Sequence, residues 1–175
     1  MSVRKEYAVR FATLGLVICT LWMQTGAVMV SAQSNMDVTE SRNKAVIEAS
    51  FKAWSAGTGS PYDLLADEAT WTIVGPSAAS KTYKGREAFI RDVIRPFNGR
   101  MREPLKPSIR RIYSDGDTVI VFFDAQGTAR DGKPYVNTYA WFLELQDGKV
   151  IAASAFFDSL EFNELWGRVA PVATK

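Results

Sequence analysis

Asp124 is the carboxylate most exposed to chemical use, because it interrupts an apolar run of Val119, Ile120, Val121, Phe122 and Phe123. A carboxylate on an apolar strand face loses solvation; its charged form is disfavoured and it becomes a better general base or acid. The same residue can instead face solvent or accept from Arg110 or Arg111, and is then structural. Tyr139, Asn137 and Gln126 are the polar groups nearest to it in pattern. Tyr139 can stabilise a developing oxyanion, whereas all three can also satisfy one another as a buried network. Trp54, Trp71 and Trp141 offer flat apolar surface, either to a ligand or to a core.

Much other chemistry is closed. The 175-residue chain has no histidine, and its one cysteine is Cys19. Ser-His-Asp and Cys-His catalysis are therefore excluded, and a transition-metal site is not expected. No acidic cluster has the spacing of a Mg²⁺ or Ca²⁺ site. No phosphate-cradling glycine loop is present, so no cofactor is expected.

The formal net charge of +2 is confined to the first 32 residues, where Arg4, Lys5 and Arg10 face Glu6. The remainder balances 18 basic against 18 acidic residues, which gives no electrostatic footprint for nucleic acid or an anionic membrane. Residues 1–10 are basic, Phe11 to Met23 is apolar, and Val30-Ser31-Ala32 places small residues at a cleavage-like end. That layout predicts a signal peptide over 1–32 and export to a periplasm or the outside, with an uncleaved membrane anchor as the competing reading.

The elements that must position these side chains follow from periodicity. Residues 33–38 read as a flexible lead-in, with Asp37 or Thr39 capping a first helix whose stripe is Ile47, Phe51 and Trp54 and whose stop is Gly57. Ser60-Pro61 starts a short second helix through Leu65, and Ala69 to Val74 reads as a strand. Gly85 to Phe97 is a third helix. Strands over 108–113, 118–128, 135–145 and 150–157 follow, joined by Asp115-Gly116, Asp131-Gly132 and Asp147-Gly148 turns. Asp158 caps a last helix, the domain spans 39–167, and 168–175 is a tail. Helices first and an antiparallel meander later is an α+β arrangement.

The segments Trp71-Thr72-Ile73-Val74-Gly75, Lys81 to Glu87, Gly132 to Trp141, Asp147-Gly148-Lys149-Val150 and Phe156-Phe157-Asp158 resemble the SnoaL-like, ketosteroid-isomerase-like family of the nuclear transport factor 2-like superfamily. The resemblance spans about Lys44 to Leu165 and implies a cone, with a curved, mostly antiparallel sheet wrapped around N-terminal helices and a central pocket. It implies inward-facing Trp71, Ile73, Asn137, Tyr139 and Trp141, and, by fitting the family's pocket side, inward-facing Ile120, Phe122, Asp124 and Gln126. Ketosteroid isomerases use an Asp base with a Tyr and a protonated Asp as oxyanion hole. The matching positions here hold Ser50, Ile73 and Trp141, so that mechanism is not expected.

The expected function is binding of a small, largely apolar molecule, with cofactor-independent proton transfer at Asp124 and Tyr139 if the chain is an enzyme. Trp54, Trp71, Phe122, Gln126, Asn137 and Trp141 would contact the ligand. The other reading is a non-catalytic accessory module whose pocket is filled. Thr138, Ala140 and Phe142 fall on the opposite sheet face, where apolar area predicts a homodimer.

Overall fold

The structure, a computed structural model, describes residues 36–172. The expected signal peptide over 1–32 and its cleavage site lie outside the described residues. Residues 36–56 form helix α1. The helix is already formed at residue 36, so the lead-in expected over 33–38 is helical from there on, and neither Asp37 nor Thr39 is its cap. Asn43, Ile47 and Phe51 are buried at helical spacing, which holds α1 against the core.

A one-turn 3-10 helix, Pro61–Leu64, follows. Ser60 Oγ accepts from the Tyr62 amide at 3.2 Å, and Asp63 Oδ2 accepts from the Ser60 amide at 3.0 Å. This reciprocal cap, with proline at the first position, fixes where Tyr62 leaves the backbone.

Six strands form one sheet: β1 (Leu65–Ile73), β2 (Thr82–Lys84), β3 (Met101–Asp115), β4 (Thr118–Ala129), β5 (Pro134–Gln146) and β6 (Lys149–Phe157). The spatial order is β2-β1-β6-β5-β4-β3. Among the described residues only the β1–β6 pairing is parallel. The turn between β5 and β6 places Asp147 at φ 50° and Gly148 at φ 76°, the positive-φ pair that a tight hairpin needs. β3 starts at Met101, seven residues before the strand expected from sequence, and runs through Pro104 and Pro107. Prolines are tolerated there because β3 is a sheet edge and their missing N–H groups break no inner ladder.

Between β2 and β3 a helical run passes from α2 (Arg86–Phe89) through a π-helical turn, Ile90–Ile94, into α3 (Arg95–Asn98). The Arg95 amide donates to the carbonyl of Ile90. Pro96 comes next; it cannot donate, and its ring crowds the carbonyl four residues back. The wider turn ahead of it relieves that conflict.

Helix α4 (Ser159–Arg168) closes the chain, capped by Asp158 Oδ1 accepting from the Leu160 amide at 2.9 Å. The chain stays attached beyond it: Val169 is buried, and the Val172 amide donates to the Gly99 carbonyl at 3.0 Å. Arg100 is 6% exposed and has no carboxylate partner among the described residues. Its guanidinium stacks 3.8 Å from the Trp166 ring centre and donates to the carbonyls of Pro96 and Trp166. It thus ties the ends of α3 and α4 together through their outward-facing carbonyls.

Candidate functional site

Between the sheet and the helices lies a cavity of about 390 Å³. Its floor is aromatic. Trp141 on β5 stacks with Trp54 of α1 at 6.0 Å and 9° between planes, and meets Trp71 of β1 edge-on at 5.0 Å. Trp71 in turn stacks on Phe89 of α2 at 4.5 Å and 12°. Tyr62 fits edge-on to both Trp71 and Phe89, at 5.7 and 5.6 Å. Such pairs each add about 0.5–1.5 kcal/mol beyond burial of their area, so the rings hold their positions whether or not a guest is present. Val93 from the π-helical turn, Phe97 of α3, Phe157 of β6 and Phe162 of α4 complete the wall.

One polar structure reaches this floor. The Asp158 amide donates to Asn137 Oδ1 at 2.9 Å, which fixes the orientation of the side-chain amide. Asn137 Nδ2 then donates to the Asp158 carbonyl at 3.0 Å and to the Tyr135 hydroxyl at 2.9 Å. The Tyr135 hydroxyl lies 3.1 Å from that of Tyr139, which lines the cavity. Tyr135 accepts from Asn137, and a phenol oxygen can accept twice, so either hydroxyl can donate in the Tyr135–Tyr139 pair. Tyr139 meets a guest as a donor when Tyr135 donates to it, and as an acceptor when it donates to Tyr135. Burial pushes the Tyr139 hydroxyl pKa well up, and the neighbouring Tyr135 adds to it. Tyr62 is raised by burial first and by Tyr135 second. At neutral pH both hydroxyls therefore keep their protons and are not phenolate bases.

Asp124 is elsewhere, and this corrects the face expected for β4. Val119, Val121, Phe123 and Ala125 are the buried residues of that strand. Phe123 pairs with Tyr139 and Asp124 with Thr138 across the β4–β5 ladder. Directly opposed residues share a face, so Phe123 points in with Tyr139 while Ile120, Phe122, Asp124 and Gln126 point out. Asp124 Oδ2 accepts from Arg110 Nε at 2.6 Å, and Oδ1 accepts from Thr138 Oγ1 at 2.7 Å. Those two bonds, Thr138 first, hold its carboxyl below the usual range, the opposite of what a base in an apolar pocket requires. Phe122 lies on the outer face under the Arg110 guanidinium, 5.2 Å from its ring centre, and Gln126 is exposed on the same face.

The sequence-predicted residues thus divide. Trp54, Trp71, Tyr139 and Trp141 converge on the cavity. Asn137 stands behind it as a positioning residue, and Asp124, Phe122 and Gln126 are outside. Tyr62 and Phe89 were not anticipated as lining residues. The available signal for Tyr62 was the capped Ser60-Pro61 start, which sets a single aromatic residue on a one-turn helix. Among the described residues no Asp, Glu or Lys lines the cavity, and no group of three His, Cys, Asp or Glu side chains is arranged to hold a metal ion.

A family model described as a SnoaL-like domain matches residues 37–153. The fold is similar to that of a protein from a soil-derived mobile gene cassette, with TM-score 0.61, 23% identity, and coverage of 73% of this chain and 98% of that one. A nuclear transport factor 2-like protein from Burkholderia thailandensis gives TM-score 0.54 and 25% identity over 65% of this chain and 89% of its own. An LEH-like epoxide hydrolase from M. tuberculosis gives TM-score 0.53 and 16% identity over 74% of this chain and 92% of its own. None of the curated proteins compared with the chain matches it.

Proposed function

Because the chain belongs to the SnoaL-like domain family, we propose that it binds a small, flat, largely apolar molecule with a hydrogen-bond acceptor directed at Tyr139 and Tyr62. Proteins of this fold include cyclases, isomerases and hydrolases that hold small molecules in pockets. The observation that carries the reading is the open aromatic cavity ending on a braced hydroxyl. Its volume, about 390 Å³, falls in the range of roughly 300–1,000 Å³ typical of small-molecule sites. An accessory module with a filled pocket would not keep this space.

The site favours recognition over acid–base turnover. A carboxylate base is missing from the lining among the described residues, and the tyrosines retain their protons at neutral pH. A donor aimed at a carbonyl oxygen binds it and polarises it, but abstracts nothing.

We further infer export, with a mature N-terminus at Gln33, and a homodimer formed through the outer sheet face. Phe142 and Phe156 are both exposed there, with ring centres 5.8 Å apart. Native mass spectrometry of protein recovered from an export compartment tests the whole reading. The expected result is a dimer starting at Gln33 with a non-covalent guest of a few hundred daltons. Failure to bind any aromatic carbonyl compound in titrations would overturn the ligand assignment.

A further inference from the structure

The cavity lining grades from buried to exposed, and that gradient separates its floor from its rim. Trp71, Tyr139 and Trp141 are buried, whereas Asn98, Arg102 and Pro104 are exposed. Among the described residues Arg102 is the only charged one in the lining, and there it makes no ion pair.

The backbone explains why this arginine reaches the mouth. Met101 pairs with Ala129 and Glu103 with Thr128, so Arg102 is an extra residue on β3, the centre of a bulge. Bulges redirect the side chain they carry, and here buried Met101 and exposed Arg102 both contribute to one cavity. On the opposing strand Gly127 faces the next irregularity of β3, between Glu103 and Lys106, and packs against the residues that flank Arg102. A Cβ there would lie 2.8 Å from Met101 Cε and 2.9 Å from the Glu103 carbonyl oxygen, closer than such atoms pack. The distortion is therefore built into both strands.

Resting on the reading of the cavity as a ligand site, we propose that its ligand is an amphipathic anion. Its flat apolar body lies among the tryptophans, and its carboxylate, sulfonate or similar oxyanion leaves through the mouth to meet Arg102. A guanidinium suits such a group because its planar fork can donate two parallel hydrogen bonds. Asn98 on the same rim supplies a further amide donor. An anion placed deeper would lose hydration without a cation to replace it, so the charge belongs at the rim and a neutral acceptor at the tyrosines.

The test uses two aromatic probes of nearly one shape, the anionic anilinonaphthalene sulfonate and its neutral parent phenylnaphthylamine. Binding to the full chain is read by energy transfer from tryptophan. Wild type is expected to prefer the sulfonate, and added salt is expected to erode that preference. Arg102→Gln should weaken the sulfonate by about 10-fold, the scale of one charge-assisted contact, and leave the neutral probe unchanged. Arg111→Gln, on the outer face, should alter neither probe. Equal losses for both probes in Arg102→Gln, or an equal loss of sulfonate binding in Arg111→Gln, would overturn the anion assignment while leaving the cavity reading standing. Wild type that binds neither probe would overturn both.

Discussion

The hydroxyl of Tyr135 lies 3.1 Å from that of Tyr139 and 2.9 Å from the amide nitrogen of Asn137. A backbone-anchored side chain thus braces a hydroxyl that ends in the cavity. Tyr139→Phe removes only the last member of this chain. For a carbonyl-bearing ligand we expect a loss of about 1–1.5 kcal/mol, roughly 10-fold in Kd, with no change for a hydrocarbon of the same shape. Isothermal titration of both ligands checks this.

Asn137→Ala acts on the fold as well as on the site. It removes the bonds of Asn137 to the Asp158 amide, the Asp158 carbonyl and the Tyr135 hydroxyl, the last of which keeps Tyr139 as a partner. Each lost bond costs about 0.5–1.5 kcal/mol. Denaturant unfolding should therefore show a larger loss for Asn137→Ala than for Tyr139→Phe.

Asp124→Asn should leave ligand affinity within about 2-fold of wild type, because the pair with Arg110 is on the outer face and surface pairs are worth little. Its effect is on acid stability. Thr138 and Arg110 lower the folded-state pKa of Asp124. The stabilisation is therefore present above the ordinary carboxyl value of about 3.9 and is lost as pH falls through the lower folded value. Unfolding titrations from neutral to acid pH should show a shallower decline in the variant.

Phe142→Glu should shift a dimer toward monomer, since it places a charge beside Phe156 on an apolar face. Light scattering at micromolar concentration reads the mass directly, and a monomeric wild type would overturn the dimer.

Gly127→Ala should destabilise by about 1–3 kcal/mol, the usual cost of forcing volume into a packed contact. The same substitution should weaken an anionic ligand more than a neutral one, because Met101 and Glu103, which flank Arg102, must shift. Thermal unfolding and probe titration together separate the two effects.

The inward face of β5 was legible once the resemblance and the two-residue period were combined: Asn137, Tyr139 and Trp141 are all buried. The Asp-Gly turns placed the hairpins for a local reason. The face of β4 was misassigned because family fit was preferred over composition. Val119, Val121, Phe123 and Ala125 are wholly apolar, whereas the alternate set contains Asp124 and Gln126, and the apolar set is the one worth burying. The early start of β3 was hidden by Pro104 and Pro107, whose meaning depends on a sheet position that sequence does not display. Arg102 was hidden for a related reason, since a bulge is a mismatch between two strands and neither strand carries it alone.

The same irregular strand bears on how the protein behaves when crowded. β3 is the long free border of the sheet, and an exposed row of unpaired amides is a template for a neighbouring chain. Here the row is broken three times by register shifts, twice by proline, and is flanked by Arg102, Lys106, Arg110 and Arg111. A second strand laid along it would find missing donors, the wrong spacing and like charge. The distortion that turns Arg102 toward the cavity therefore also defends the molecule against edge-to-edge polymerisation. Straightening it, for instance by replacing both prolines, would trade that protection for a smoother ladder.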